Sequence, residues 1–239
     1  MGRYSVPLAP RFADFAAVGA GQRVLDVGCG PGALTGELVG RLGPDAGSAV
    51  DPSESFVAAA RERHPGVRVQ RAAAEQLPFG DQEFDAALAQ LVVHFMADPV
   101  AGLREMARVT RKVGVVATCV WDYGGGGAPI AVFWQAAREL DPAVEDESRL
   151  AGARQGHLTE LFQAAGLREI EESALTVDVR HASFDDWWEP FTLGVGPAGA
   201  YAAGLDAERQ ARLRERCREQ LPPAPFVLSA RAWAARGVV

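Results

Sequence analysis

Three glycines and two carboxylates form the most informative pattern in the sequence. Gly28, Gly30 and Gly32 follow a short apolar stretch and precede a helical pattern. Asp26 stands two residues before Gly28, and Asp51 lies 23 residues after it. Glycines at the first strand–helix turn of a parallel sheet let the backbone approach a bound group closely, and a carboxylate at the end of the second strand can accept both ribose hydroxyls. The spacing therefore predicts a nucleoside site at the carboxyl edge of a sheet.

The charge of Asp26 bears on which nucleoside this site takes. A dinucleotide places its pyrophosphate over the helix N-terminus, where a neighbouring carboxylate repels it. The same carboxylate can engage an ammonium group, directly or through water, so adenosine joined to an amino-acid tail fits better. Two alternatives stay open. Residues 28–33 also satisfy the GxGxxA pattern of a nicotinamide-dependent oxidoreductase, and a non-catalytic nucleoside-binding protein can keep the same turn.

The elements that must position these residues alternate between strand and helix in the first half of the chain. Short apolar segments predict five strands, at residues 23–27, 48–50, 67–69, 84–89 and 113–121. Helical patterns separate them, and one helix opens at Asp98 and Pro99, where Asp suits the cap and Pro the first turn. Strands alternating with helices predict an α/β fold with a doubly wound, mainly parallel sheet.

The second half of the chain predicts a small cap on the same domain. Residues 156–165 have a helical pattern that ends at Gly166, and residues 206–220 predict a charged helix. Glycine-rich stretches at 124–127 and 194–204 are compatible with a lid. We expect one domain over 1–239, with an N-terminal helical segment at 1–20, a cofactor-binding half at 21–122, and cap elements at 123–166 and 182–224.

Composition narrows the classes of partner. The 239 residues carry 24 Lys and Arg against 31 Asp and Glu, a net charge of -7 that argues against a nucleic-acid partner. Three dispersed cysteines suggest neither disulfides nor a metal site. No uncharged run has the length of a membrane span, and the first residues do not resemble a signal peptide. We expect a cytoplasmic protein, monomeric or homodimeric, that needs no metal.

Four segments in a characteristic order carry a family resemblance. They are VLDVGCGPGALT, AVDPSESF, AAAEQLPFGDQEFDAALAQ and REMARVTRKVGVVATCVW. Together, over roughly residues 8–122, they resemble the class I S-adenosylmethionine-dependent methyltransferases, in the small-molecule branch that includes the ubiquinone and menaquinone methyltransferases. The resemblance implies a seven-stranded sheet whose last strand is antiparallel, with residues 167–180 and 225–235 as strands six and seven. It also implies S-adenosylmethionine as the cofactor.

The resemblance assigns the cofactor contacts position by position. Asp26 and the turn with Gly28, Cys29 and Gly30 would hold the methionine end, and Asp51 would take the ribose hydroxyls. The remaining contacts would come from Pro52 on the adenine face, the Ala74 and Glu75 backbone at its edge, and Gln90 after strand four. Many relatives place an Asp where this chain has Ala73, so the resemblance does not extend to a side-chain contact with the adenine amino group.

The acceptor side rests on fewer residues. His94, in the loop after strand four, is a candidate general base. Asp122 and Tyr123, which follow strand five at the same edge, are also candidate catalytic residues. These residues also have structural interpretations. His94 can simply be packed in its loop, and Asp122 and Tyr123 can shape the glycine-rich loop that follows them. Large aromatics in the cap suit a flat or apolar small-molecule acceptor and equally suit burial of the cap itself; they are Phe133, Trp134, Trp187, Trp188 and Phe191.

Overall fold

A seven-stranded sheet forms the centre of the molecule, in a computed structural model that describes residues 2–239. The strands lie in the order β3-β2-β1-β4-β5-β7-β6. Every pair is parallel except the two pairs made by β7, which is antiparallel to both β5 and β6. The strand bounds are β1 Val24–Val27, β2 Gly47–Asp51, β3 Arg68–Arg71, β4 Phe84–Gln90, β5 Thr110–Trp121, β6 Arg168–His181 and β7 Phe226–Val238. This confirms the predicted α/β sheet with an antiparallel last strand.

Nine α-helices surround the sheet within the described residues. They are α1 Gly2–Phe15, α2 Ala33–Leu42, α3 Glu54–Arg63, α4 Pro99–Val109, α5 Ala131–Leu140, α6 His157–Ala165, α7 Phe184–Thr192, α8 Gly196–Gly204 and α9 Ala207–Gln220. None of these helices, over residues 2–239, combines the length and apolar character that crossing a membrane requires.

Local chemistry explains where several helices begin and end. The Asp98 carboxylate accepts a hydrogen bond from the Ala101 amide at 2.9 Å, and Pro99 occupies the first turn of α4. Gly166 closes α6 in the left-handed conformation, with φ of 88°. These boundaries agree with the sequence prediction because each depends on residues next to the boundary itself.

Three clusters of buried side chains hold the sheet and its helices together, and the smallest packs α3 against β2 and β3. Of the two larger clusters, the first joins residues of α1, α2, α5, α7, α8 and α9 to the sheet, and the second joins α4 and α6 to it. The five cap aromatics all belong to the first cluster, and Phe133 stacks on Phe191 with ring centroids 4.5 Å apart. Their burial therefore packs α5 and α7 into the same cluster as the sheet and α1. Within the cap, the glycine-rich segment 194–204 is largely helical.

Candidate active site

The glycine turn between β1 and α2 is shaped by its neighbours on both sides. The amides of Gly28 and Cys29 both donate to the Val50 carbonyl, at 2.8 and 2.9 Å. Gly28 has φ of 71°, and a Cβ there would lie 2.5 Å from the Val92 side chain. Gly30 also has a positive φ, of 53°, but a Cβ there would meet no atom within 4 Å. Gly28 is thus required by packing, while Gly30 borders open space at the sheet edge.

Asp26 is buried beneath this turn with one oxygen unsatisfied. Its side chain is 1% exposed, and its Oδ2 accepts a hydrogen bond from the Thr35 hydroxyl at 2.6 Å. No donor in the described chain reaches its Oδ1. Burial raises the pKa of Asp26 to about 7; the Thr35 hydrogen bond opposes the rise and the nearby Asp51 charge adds to it. A buried, unpartnered carboxylate oxygen is costly, so this atom fits a ligand that carries a donor.

Asp51, at the end of β2, uses its carboxylate to hold the turn and still retains acceptor capacity. Its Oδ2 accepts from the Gly30 amide at 2.9 Å and its Oδ1 from the Ser53 amide at 2.8 Å. A carboxylate offers about four lone-pair sites, so roughly two remain for a ligand. Asp51 is 6% exposed. Asp26 and Asp51 therefore flank the same turn, as the sequence predicts.

The segment expected at the adenine edge lies between β3 and β4. Ala74 is buried, whereas Pro52 and Ala73 are exposed. The Glu75 side chain accepts hydrogen bonds from the amides of Ala97 and Asp98, at 2.8 and 3.3 Å. Glu75 thus ties this segment to the start of α4, which leaves its backbone as the part available to a ligand.

Helix α1 reaches the site from the other side. The Gln90 Nε2 donates to the Ser5 carbonyl at 3.0 Å, while the buried Gln90 Oε1 has no partner in the described chain. Further along the edge, the Tyr4 hydroxyl and the His181 Nε2 form a hydrogen bond of 2.8 Å. Sequence reasoning missed these contacts because they join residues 85 and 177 positions apart.

His94 and Tyr123 lie together beyond the ends of β4 and β5. Their ring centroids are 5.9 Å apart in an edge-on arrangement. Burial lowers the pKa of His94 to about 4, so its imidazole is neutral at pH 7, and its Nδ1 has no partner in the described chain. Burial raises the pKa of Tyr123, which keeps its phenol protonated. The pair offers a neutral imidazole and a hydroxyl donor at the expected acceptor position.

Asp122 lies in a different environment from the one expected of a catalytic acid. It is 1% exposed, and its carboxylate accepts from Arg231 at 2.5 Å, from the Trp233 indole at 2.8 Å and from the Gly125 amide at 2.8 Å. These contacts fasten the 124–127 loop to β7. The structure therefore favours a positioning role for Asp122, because its oxygens are already engaged by charged and neutral donors.

Glu147 is a buried carboxylate near Tyr123 that sequence reasoning missed. It is 5% exposed, and its Oε2 accepts from the Trp134 indole N–H at 2.6 Å. Burial raises the pKa of Glu147. The segment 141–150 has no periodic pattern that separates Glu147 from its exposed neighbour Glu145, so the sequence offers no signal for it.

Comparisons with known proteins place this fold and site in a family. A family model described as a methyltransferase domain matches residues 25–118, which contain the glycine turn, Asp51 and Gln90. An uncharacterized protein of Mycobacterium tuberculosis is 31% identical over 84% of this chain and 78% of its own length. The chain belongs to the class I S-adenosylmethionine-dependent methyltransferases. It is therefore an enzyme with S-adenosylmethionine as cofactor, which decides against the nicotinamide-dependent and non-catalytic alternatives.

Two further relatives agree with this assignment. A demethylmenaquinone methyltransferase of a Mycobacterium species is 38% identical over 43% of this chain and 43% of its own length, which bears out the resemblance to quinone methyltransferases. The structure of a geranyl diphosphate methyltransferase in complex with S-adenosylmethionine has a TM-score of 0.55 at 16% identity, over 98% of this chain and 85% of that one. At that identity the similarity shows a shared fold.

Proposed function

We propose that this enzyme methylates a small-molecule acceptor with an aromatic or apolar body, by in-line displacement at the sulfonium carbon and without a metal. The observation that most supports S-adenosylmethionine as the methyl donor is the pair of carboxylates that flank the glycine turn. Asp26 has a buried, unpartnered oxygen suited to an ammonium, and Asp51 has acceptor capacity suited to two ribose hydroxyls. A sulfonium nucleoside with an amino-acid tail carries both groups.

The residues present fit S-adenosylmethionine. Asp26 and the turn at Gly28, Cys29 and Gly30 would hold the methionine end, and Asp51 would hold the ribose. Around the adenine would lie Pro52 and the backbone of Ala74 and Glu75, with Gln90 closing the site. When bound, the cofactor supplies a methyl group on a good leaving group, so the chain's own task is to position the acceptor and exclude water.

On the acceptor side we assign His94 as the general base. A neutral imidazole can take the proton that an acceptor hydroxyl or amine loses as the methyl group is transferred. Tyr123 would orient the acceptor with its hydroxyl, and Asp122 would position Tyr123 by fixing the following loop. The cap segments 123–166 and 182–224 would cover the acceptor during the reaction.

We further propose a cytoplasmic enzyme that acts as a monomer or homodimer without nucleic acid. The three cysteines, Cys29, Cys119 and Cys217, are all free and buried, as suits a reducing compartment. The acidic net charge of -7 disfavours a polyanionic partner.

The test is to incubate the purified protein with methyl-labelled S-adenosylmethionine and a soluble extract of its own host. Label in a small organic molecule, lost in the His94→Gln variant, is the expected result. Label confined to protein or nucleic acid would overturn the proposed substrate class. Unchanged labelling by the variant would remove His94 from the mechanism.

A further inference from the structure

A small cavity lies beside Tyr123, between α5 and the segment that precedes α6. Its volume is about 20 Å³, and Glu147, Trp134, Tyr123 and Ala131 contribute to its lining. A cavity of this size holds about one water-sized group, so it accommodates a single polar head rather than a whole acceptor. Because Tyr123 also contacts His94, the cavity adjoins the proposed acceptor position.

The charges around this cavity do not cancel. Arg138 and Asp146 line it and form an ion pair with each other, which leaves the Glu147 carboxylate without a cationic partner. Its Oε2 receives one neutral donor, the Trp134 indole, while a carboxylate offers about four lone-pair sites. The cavity thus presents one buried carboxylate with spare acceptor capacity.

The lining selects further among possible occupants. Trp134 and Tyr123 both line the cavity, and the Trp134 indole N–H holds the Glu147 Oε2 at 2.6 Å. A hydroxyl can only hydrogen-bond to this carboxylate, whereas a protonated amine gains both a hydrogen bond and charge pairing.

We propose that Glu147, with Trp134 and Tyr123, binds a protonated amine on the methyl acceptor, so that the substrate is an amine with an aromatic or apolar body. This inference rests on the proposed small-molecule methyl transfer and specifies its substrate class. Glu147 is the residue that determines specificity, while His94 remains the proposed base at the reacting atom.

The experiment compares two probes with the same carbon skeleton, 2-phenylethylamine and 2-phenylethanol. Their affinities for the protein saturated with S-adenosylhomocysteine are measured by calorimetry at neutral pH. We expect the amine to bind about tenfold or more tightly than the alcohol. Glu147→Gln keeps the size of the side chain and an oxygen for the indole, and it should abolish the preference. Glu145→Gln removes an exposed carboxylate two residues away and should retain it.

Three results would overturn the inference: equal binding of both probes, binding of neither, or an amine preference that survives in Glu147→Gln. The comparison of the two probes on the unmodified chain decides the question even if the Gln variant does not fold. Saturation by S-adenosylhomocysteine is measured first in the same samples. If S-adenosylhomocysteine binds but the amine is not preferred, only the proposed substrate class is refuted. If S-adenosylhomocysteine does not bind, the proposed function itself is refuted.

Discussion

Removal of the Asp51 carboxylate tests the ribose contact quantitatively. Two of its roughly four lone-pair sites bind the Gly30 and Ser53 amides, which leaves one for each ribose hydroxyl. A hydrogen bond to a charged group contributes about 1.5–3 kcal/mol, and water partly replaces the lost contacts in a variant. We therefore expect Asp51→Ala to weaken S-adenosylhomocysteine binding by about 3 kcal/mol, roughly a 100-fold rise in Kd.

The assay is calorimetric titration of S-adenosylhomocysteine and of its 2′-deoxy analogue against the wild type and the variant. Because the variant lacks the acceptor, the 2′-hydroxyl should matter in the wild type and lose most of its effect in Asp51→Ala. Glu54→Ala, three residues away and exposed, is the matched control and should change Kd less than twofold, or ~0.4 kcal/mol. A rise in Kd below about threefold, ~0.7 kcal/mol, or an equal loss for both ligands in the variant would refute the assignment.

Four further predictions concern the turn and the base. Because the pKa of free Asp26 is about 7 and an ammonium favours its ionised form, affinity for S-adenosylhomocysteine should rise by up to about tenfold per pH unit from pH 5 to 7 and then level off, with no such rise in Asp26→Asn. Without ligand, the stability of the protein should change in the opposite direction. The raised pKa of Asp26 contributes stability below about pH 4, and this contribution is lost as the pH rises through 7. The Tm should therefore fall over this range, and Asp26→Asn should flatten the fall. Gly28→Ala should lower Tm far more than Gly30→Ala, because the Cβ at position 28 would lie 2.5 Å from Val92. Gly30→Ala should keep the fold at a cost of about 1–2 kcal/mol and lose ligand affinity. Equal Tm values of the two variants would contradict the packing argument. His94→Gln should lower kcat by about 100-fold or more while the Kd of S-adenosylhomocysteine stays within about twofold, and a parallel loss in both would make His94 a structural residue.

Features set by neighbouring residues were predictable from the sequence. The Asp98 cap and the left-handed Gly166 each depend on a few adjacent positions, and both lie where the sequence places them. The glycine turn is also where its spacing predicts, although Val50 and Val92 complete its packing. Strand ends were less predictable, because β5 begins at Thr110 and β7 continues to Val238 through pairing with distant strands. The bounds of a strand depend on its partners as well as on its own residues.

The packing of residues 123–166 and 182–224 could not be predicted from the sequence. The glycine-rich segment 194–204 contains α8, and Gly199 packs closely on Gly194, with 3.0 Å between the Gly194 carbonyl carbon and a Cβ placed at Gly199. Asp122 meets Arg231 across 109 positions, so its engagement is a property of the folded chain. Glu147 is distinguished from Glu145 only by burial, which tertiary packing determines.

A crystal structure of the protein with S-adenosylhomocysteine tests the central claim most directly. We predict both ribose hydroxyls within about 2.5–3.0 Å of the Asp51 carboxylate, and the amino group of the ligand beside the Asp26 Oδ1, directly or through one water. A nucleoside bound away from the turn, or one that leaves the Asp26 Oδ1 without a donor, would contradict the account.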